Sequence, residues 1–208
     1  CRKYNDFVNK RQIAILVRLC LKVSSAAPVY IHPQDHLTIE SMVDQSLIQS
    51  RRILGIDPGV NVTGYGVLDQ QANKLVIVEA GVIRGGKEEL PGKVMKIYDG
   101  VKDLIESVNP DQMAIEKIYS HYAHPMTSII MGHARGVICL AASQHSIPIF
   151  HYASTKVKKV LTGNGRASKE QMQASICREF NLPAPPEPND VADALAIALC
   201  HAYLGKEY

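Results

Sequence analysis

Four carboxylates, Asp57, Glu116, Asp190 and Asp193, are the residues of this chain whose type and spacing could do chemistry. Two divalent cations held roughly 4 Å apart can promote hydrolysis of a phosphodiester when several hard carboxylate oxygens converge on them. Asp57 ends the apolar run Ile53-Leu54-Gly55-Ile56 just before Pro58-Gly59, and Glu116 follows Met113-Ala114-Ile115 in an otherwise apolar stretch. Burying either side chain ionised is costly unless a cation accompanies it. Asp190 and Asp193 lie three residues apart, so they share one face of a helix whose core stripe is Val191, Leu195, Ala198, Leu199 and Ala202. Taken singly, each acid has a structural reading, as a helix cap, a first-turn acid favoured by the helix dipole, or a turn residue. Taken together, in strand and helix contexts that could converge, they read as a metal-dependent nuclease site holding two Mg²⁺ ions.

The elements that must position them follow from hydrophobic period and turn residues. Strands are predicted over 52–57, 63–69 and 74–83, with glycine-containing turns that suit antiparallel neighbours. Pro91-Gly92 opens a helix in which Val94, Ile97, Val101, Leu104 and Ile105 recur at helical spacing, and Asn109-Pro110 stops it. A strand over 112–118 follows, then an apolar helix over 127–144 whose Gly132, Ala134, Gly136, Ala141 and Ala142 permit close packing of helices or of two subunits. A strand over 147–152, helices over 155–161 and 169–180, a proline-rich loop and a last helix over 190–204 complete the chain. Three strands, then alternating helix and strand, then helices, predict an α/β fold: a ribonuclease-H-like, mixed five-stranded sheet with helices on both faces.

The chain has 208 residues, 46% hydrophobic and 21% charged, which suits one globular catalytic domain. Its formal charge of +3 says little, because residues 51–208 are nearly balanced; cations bound to the acids would move that balance towards a polyanionic substrate. Five widely spaced cysteines without a C-x-x-C pair point to neither a disulfide framework nor a zinc knuckle, and favour a reducing, cytoplasmic setting. No apolar run reads as a bilayer span; Ile13 to Val23 is broken by Arg18 and Lys22, which also weakens its likeness to a signal peptide. No membrane partner is expected. Residues 1–50 lack a clear period, so the domain boundary is placed at residue 51, with an N-terminal extension before it, poorly ordered, and Met42 as a possible start of the functional product.

Gly55-Ile56-Asp57-Pro58-Gly59, Thr63-Gly64-Tyr65-Gly66, Ala114-Ile115-Glu116, Ala134-Arg135-Gly136, Val157-Lys158-Lys159 and Asp190-Val191-Ala192-Asp193-Ala194-Leu195-Ala196 occur in an order that resembles the RuvC family of Holliday-junction resolvases. The resemblance runs from about Arg52 to Leu204. It implies a homodimeric endonuclease that nicks opposed strands of four-way junction DNA in recombination and repair, leaving 5′-phosphate and 3′-hydroxyl ends. It also implies Mg²⁺, with Mn²⁺ as a substitute, and the RuvA and RuvB branch-migration proteins as partners. Asp57, Glu116, Asp190 and Asp193 match the family's four metal-binding acids, and this chain has Asp at the third position where some members have His. Lys158 and Lys169 match positions used near the scissile phosphate. Tyr119 matches an aromatic position that stacks on bases at the opened junction, where stacking is worth ~1–3 kcal/mol per base.

Lys156, Lys158, Lys159, Arg166 and Lys169 form a basic run that reads as a phosphate clamp or as a solvated helix face. His121 and His124 have metal-ligand spacing but no supporting pair, and are expected in a DNA-facing loop. Two other functions compete. A catalytically silent junction-binding protein would be expected to lack an acid. An actin-like or sugar-kinase-type phosphotransferase shares an acidic hairpin such as Asp57 to Gly64, but needs two such domains around a nucleotide cleft.

Overall fold

The computed structural model describes residues 50–71, 74–118 and 125–205, all within one compact unit spanning Asp44–Tyr208. The stretch before Ser50 with Met42, and Tyr119, His121 and His124, lie outside the described residues. The elements are β1 (Arg51–Asp57), β2 (Val62–Gln71), β3 (Lys74–Arg84), α1 (Leu90–Val108), β4 (Gln112–Glu116), α2 (Pro125–Gln144), β5 (Ile149–Tyr152), α3 (Ser154–Thr162), α4 (Lys169–Phe180) and α5 (Asn189–Leu204). They form one five-stranded sheet in the order β3-β2-β1-β4-β5. The first three strands pair antiparallel, while β1, β4 and β5 run parallel, which is the ribonuclease-H-like arrangement expected from the element order.

Alternation along the central strands divides two cores. Leu54, Ile56, Met113 and Ile115 face α1 and α2, whereas Ile53 and Ala114 face α3, α4 and α5. Because β1 and β4 are parallel and in register from Ile53 with Gln112 to Ile56 with Ile115, Asp57 and Glu116 come side by side at the C-terminal edge of the sheet. That edge is where ligands of open α/β sheets bind, since loops and helix ends leave a crevice there.

α5 is more deeply set than its sequence stripe implied. Val191, Ala192 and every residue from Ala194 to Ala202 are buried, because the helix lies against β1, β2 and β4 on one side and against α3 and α4 on the other. Small residues allow this approach. A Cβ at Gly55 would overlap the Ala194 carbonyl and stand 2.7 Å from Ala198 Cβ, and one at Gly64 would overlap the Asp190 carbonyl. Buried His201 ties the same helix to the sheet: the Tyr152 hydroxyl meets its Nδ1 at 2.7 Å, its Nε2 meets Gln112 Oε1 at 2.7 Å, and Phe150 packs on the ring. Burial pushes His201 down to about 4, so the ring is neutral, and the network assigns it as donor to Gln112 and acceptor from Tyr152.

Two expectations change. The strand predicted from residue 147 starts at Ile149, because Ser146 turns left-handed (φ 57°) and the Ile147 N–H bonds back to the Ala142 carbonyl at 3.0 Å, closing α2. The second concerns membrane spans: α2, with 20 residues and only Arg135 charged, is long and apolar enough to cross a bilayer by length and composition. In this fold its Ala134, Ile138, Ala141 and Ala142 are buried in the core shared with α1.

Gly64→Ala tests the helix–sheet contact. It is expected to cost at least ~1–3 kcal/mol, because the added methyl meets a backbone carbonyl that cannot rotate away. Gly132→Ala, where a Cβ meets nothing within 4 Å, should be neutral or stabilising. Thermal unfolding of both variants measures the difference; equal melting points would refute the contact.

Candidate active site

Asp57, Glu116 and Asp193 line one cavity of about 250 Å³ at the C-terminal edge of the sheet, with Lys158, Lys169 and Ser154 on its other wall. Each acid arrives from a different element. Asp57 is the last residue of β1, where Thr63 Oγ1 donates to the Gly59 carbonyl at 2.7 Å and shapes the turn into β2. Glu116 is the last residue of β4 and points to the α5 side of the sheet, opposite Ile115. Asp193 projects from the second turn of α5.

Asp190 was expected to share its face with Asp193. It does not line the cavity: it sits at the start of α5, where its carbonyl covers Gly64, the cross-strand partner of Asp57. Its charge still acts on Asp57 and Asp193, so it belongs to the same electrostatic unit. The basic run divides as well. Only Lys158 and Lys169 line the cavity, because α3 is amphipathic and turns Lys156 and Lys159 outward to solvent. Lys169 Nζ stands 3.7 Å from Asp193 Oδ2.

Confining the acids raises their affinity for protons. Burial first, then repulsion from Glu116, Asp193 and Asp190, pushes Asp57 up to about 8. Its proton is shared with Glu116, which burial also pushes up, while the hydrogen bonds from Asp57 and from the Ser154 hydroxyl pull it back. Burial likewise raises Asp193, and Lys169 opposes that shift. Ser154 escaped the sequence reading. Nothing in Ala153-Ser154-Thr155 distinguishes a ligand-orienting hydroxyl from an ordinary first helical residue, and only the pairing of β5 with β4 brings it to Glu116.

Hard, mutually repelling carboxylate oxygens are the donor set a divalent cation takes, and Lys169 beside Asp193 is the neutralising charge present without one. Among the described residues, no three acid, His or Cys side chains close on one point as a finished ligand cage.

Sheet order, parallel centre and acid-bearing C-terminal edge define a ribonuclease-H-like α/β protein. The family profile described as crossover junction endodeoxyribonuclease RuvC matches residues 53–201. The chain is 50% identical over 153 residues to the crossover junction endodeoxyribonuclease RuvC of Rhodopirellula baltica, covering 73% of this chain and 86% of that protein. It is 39% identical over 165 residues to the one from Aromatoleum aromaticum, covering 79% and 88%. Among solved structures, Thermus thermophilus RuvC in complex with a Holliday junction substrate aligns with a TM-score of 0.70 at 29% identity, over 76% of this chain and 96% of that one. The yeast mitochondrial Holliday junction resolvase Ydc2 shares the fold, with a TM-score of 0.54 at 17% identity over 81% of this chain and 86% of that one. The chain belongs to the RuvC family of crossover junction endodeoxyribonucleases.

The raised acid has a consequence for stability. Asp57 ionises near pH 4 in the unfolded chain and only around 8 in the folded, metal-free protein. Between those values the folded state holds a proton the unfolded state has released, so stability falls as pH rises through that window. Asp57→Asn, which carries no charge to confine, should therefore melt above the wild-type protein at pH 8 in EDTA, by more than ~1 kcal/mol, and approach it near pH 4. Scanning calorimetry across pH decides this; a wild-type melting point that climbs from pH 5 to 8 relative to the variant would contradict the assignment.

Proposed function

We propose that this chain resolves four-way DNA junctions by paired, symmetric hydrolysis of phosphodiesters, leaving 5′-phosphate and 3′-hydroxyl ends, in recombination and DNA repair. The observation that carries the reading is the meeting of Asp57, Glu116 and Asp193 with Lys158 and Lys169 in one cavity, on a chain that belongs to a junction-endonuclease family. The nuclease domain proposed is residues 51–208, supported by β1 starting at Arg51 and by the family match over 53–201.

In this reading Asp57, Glu116, Asp190 and Asp193 hold the metal, two Mg²⁺ ions with Mn²⁺ as a substitute. When bound, these ions supply charge neutralisation at the scissile phosphate and lower the pKa of water. The protein's own groups do the rest. Asp57 and Glu116 would hold the metal once ionised, and Ser154 keeps Glu116 oriented. Lys169 exchanges Asp193 for a phosphate oxygen, and Lys158 closes on the phosphate from α3. Val157 and Met172 wall the cavity against bulk water, which strengthens every charge interaction inside it. Tyr119, proposed to stack on an unpaired base, lies outside the described residues.

Two opposed nicks call for two active sites, and α2 supplies a surface for pairing. Met126, Ile130, His133, Val137 and Leu140 recur at spacings of four and three, the seam period of paired helices. Met126, Ile129 and Leu140 are 63%, 54% and 50% exposed, a large apolar stripe for a monomer to leave in water. A homodimer through α2 is the assembly proposed, acting with the RuvA and RuvB branch-migration proteins. A cytoplasmic setting is proposed as well, supported by Cys139, Cys177 and Cys200 being free thiols.

Incubation with a labelled movable four-way junction in Mg²⁺ tests the activity. The wild-type protein should give symmetric, ligatable nicks in the junction and none in linear duplex, and Glu116→Gln should lower the rate by ~3 orders of magnitude or more. Junction binding without cleavage in Mg²⁺ or Mn²⁺ would mark a silent binding protein, and ATP hydrolysis a phosphotransferase. Sedimentation tests the assembly: Leu140→Glu should convert a dimer to a monomer with little change in melting point, and a wild-type monomer both with and without junction DNA would reject it.

A further inference from the structure

A second cavity, of about 370 Å³, opens on the other face of β4, lined among the described residues by Lys117, Ile118, Gly132, Arg135 and His151. Strand alternation places it there. Glu116 points to the α5 side with the acids, so the next residue, Lys117, points to the α2 side, as does His151, the β5 partner of Ile115. Arg135 reaches in from α2 and is held at two points: its Nε donates to the Glu116 backbone carbonyl at 3.3 Å, and its Nη2 lies 2.8 Å from His151 Nδ1. An arginine can only donate, so His151 accepts at Nδ1 and carries its proton on Nε2. Arg135 and Lys117 also hold His151 below its ordinary value, after burial, which agrees with a neutral ring.

What remains unused at this cavity is all of one kind. The rest of the Arg135 guanidinium, the Lys117 ammonium and the His151 Nε2–H are donors, and none of them has an acidic partner among the described residues. Two positive charges, one of them held at two points, with convergent donors and no counter-ion among the described residues match an oxyanion. Resting on the junction-nuclease reading, we propose that this cavity is a second phosphate site, which takes a backbone phosphate of the junction DNA next to the segment presented to the acids. Consecutive residues at the end of β4 and just past it thus face two parts of the DNA: Glu116 the site of cleavage, Lys117 a phosphate beyond it. Arg135 couples the two, because the guanidinium that receives this phosphate also holds the carbonyl of Glu116.

Replacing Arg135 would disturb Glu116 directly, so the test adds charge where space is free. A Cβ at Gly132 meets nothing within 4 Å. Gly132→Glu places a carboxylate at the cavity, Gly132→Gln is its neutral match, and Ser107→Glu adds the same charge at an exposed position near the end of α1, outside the cavity lining. All four full-length proteins are titrated with junction DNA in EDTA over a range of salt, and their melting points are compared. The expected result is that Gly132→Glu binds ~10-fold more weakly than Gly132→Gln, with the slope of log affinity against log salt shallower by about one, while Ser107→Glu stays near the wild-type protein. Equal affinity and slope for the two Gly132 variants, or an equal loss in Ser107→Glu, overturns the second site while leaving the nuclease reading intact. If the wild-type protein binds no junction, both readings fall.

Discussion

The close contact between α5 and the antiparallel hairpin β1–β2 is the constraint on which the rest of this structure depends. A helix normally stands off a sheet by the thickness of the side chains between them. Here Gly55 and Gly64 remove that thickness, and the carbonyls of Ala194 and Asp190 occupy the space their side chains would need. The alanines of α5 extend the same economy from the helix side. The result is that Asp193, on a segment more than 130 residues away in the chain, is brought to within electrostatic reach of Asp57. A helix one methyl group further out would leave the acids separated by water and screened from one another.

That proximity works against folding. Three buried or half-buried acids with a fourth at the rim repel each other, and the protein contains the repulsion by sharing a proton between Asp57 and Glu116 and by drawing Lys169 to Asp193. Both devices are reversible. In the proposed reaction, cations would displace the proton and a phosphate would draw the lysine away, so the groups that offset the repulsion are the ones that substrate and metal would replace. Stability given up at a site that must bind charge is recovered in the two apolar cores above and below the sheet.

β4 shows how one short strand can serve two tasks. Its alternating sides give Ala114 to the α5 core and Met113 and Ile115 to the α2 core, and its end gives an acid to one face and a lysine to the other. Arg135 bridges the faces by bonding to the backbone carbonyl of Glu116 rather than to its carboxylate, so it leaves the acid cavity undisturbed. The charge of the sheet edge is therefore sorted by face rather than by position along the chain.

Much of this was legible in the residues themselves. Apolar periods and turn residues placed the strands and helices to within a few positions, because local burial and backbone preference set them. Four acids at strand ends and on one helix pointed to metal-dependent chemistry, since few other arrangements put so many hard oxygens in apolar runs. Other features were not legible. Asp190 and Asp193 looked equivalent by helical spacing, and only the seating of α5 on Gly64 turned one of them into the cavity and left the other at its rim. Of five basic residues in one run, the packing of α3 and α4 selected Lys158 and Lys169. Ser154, His151 and Arg135 carry no motif-level signal for the parts they play, because their partners come from other elements, 16 to 38 residues away. The sequence alone determined which elements form and which groups could bind metal; the tertiary structure decided which of those groups meet, because distance and burial, not residue type, set how strongly charges act on one another.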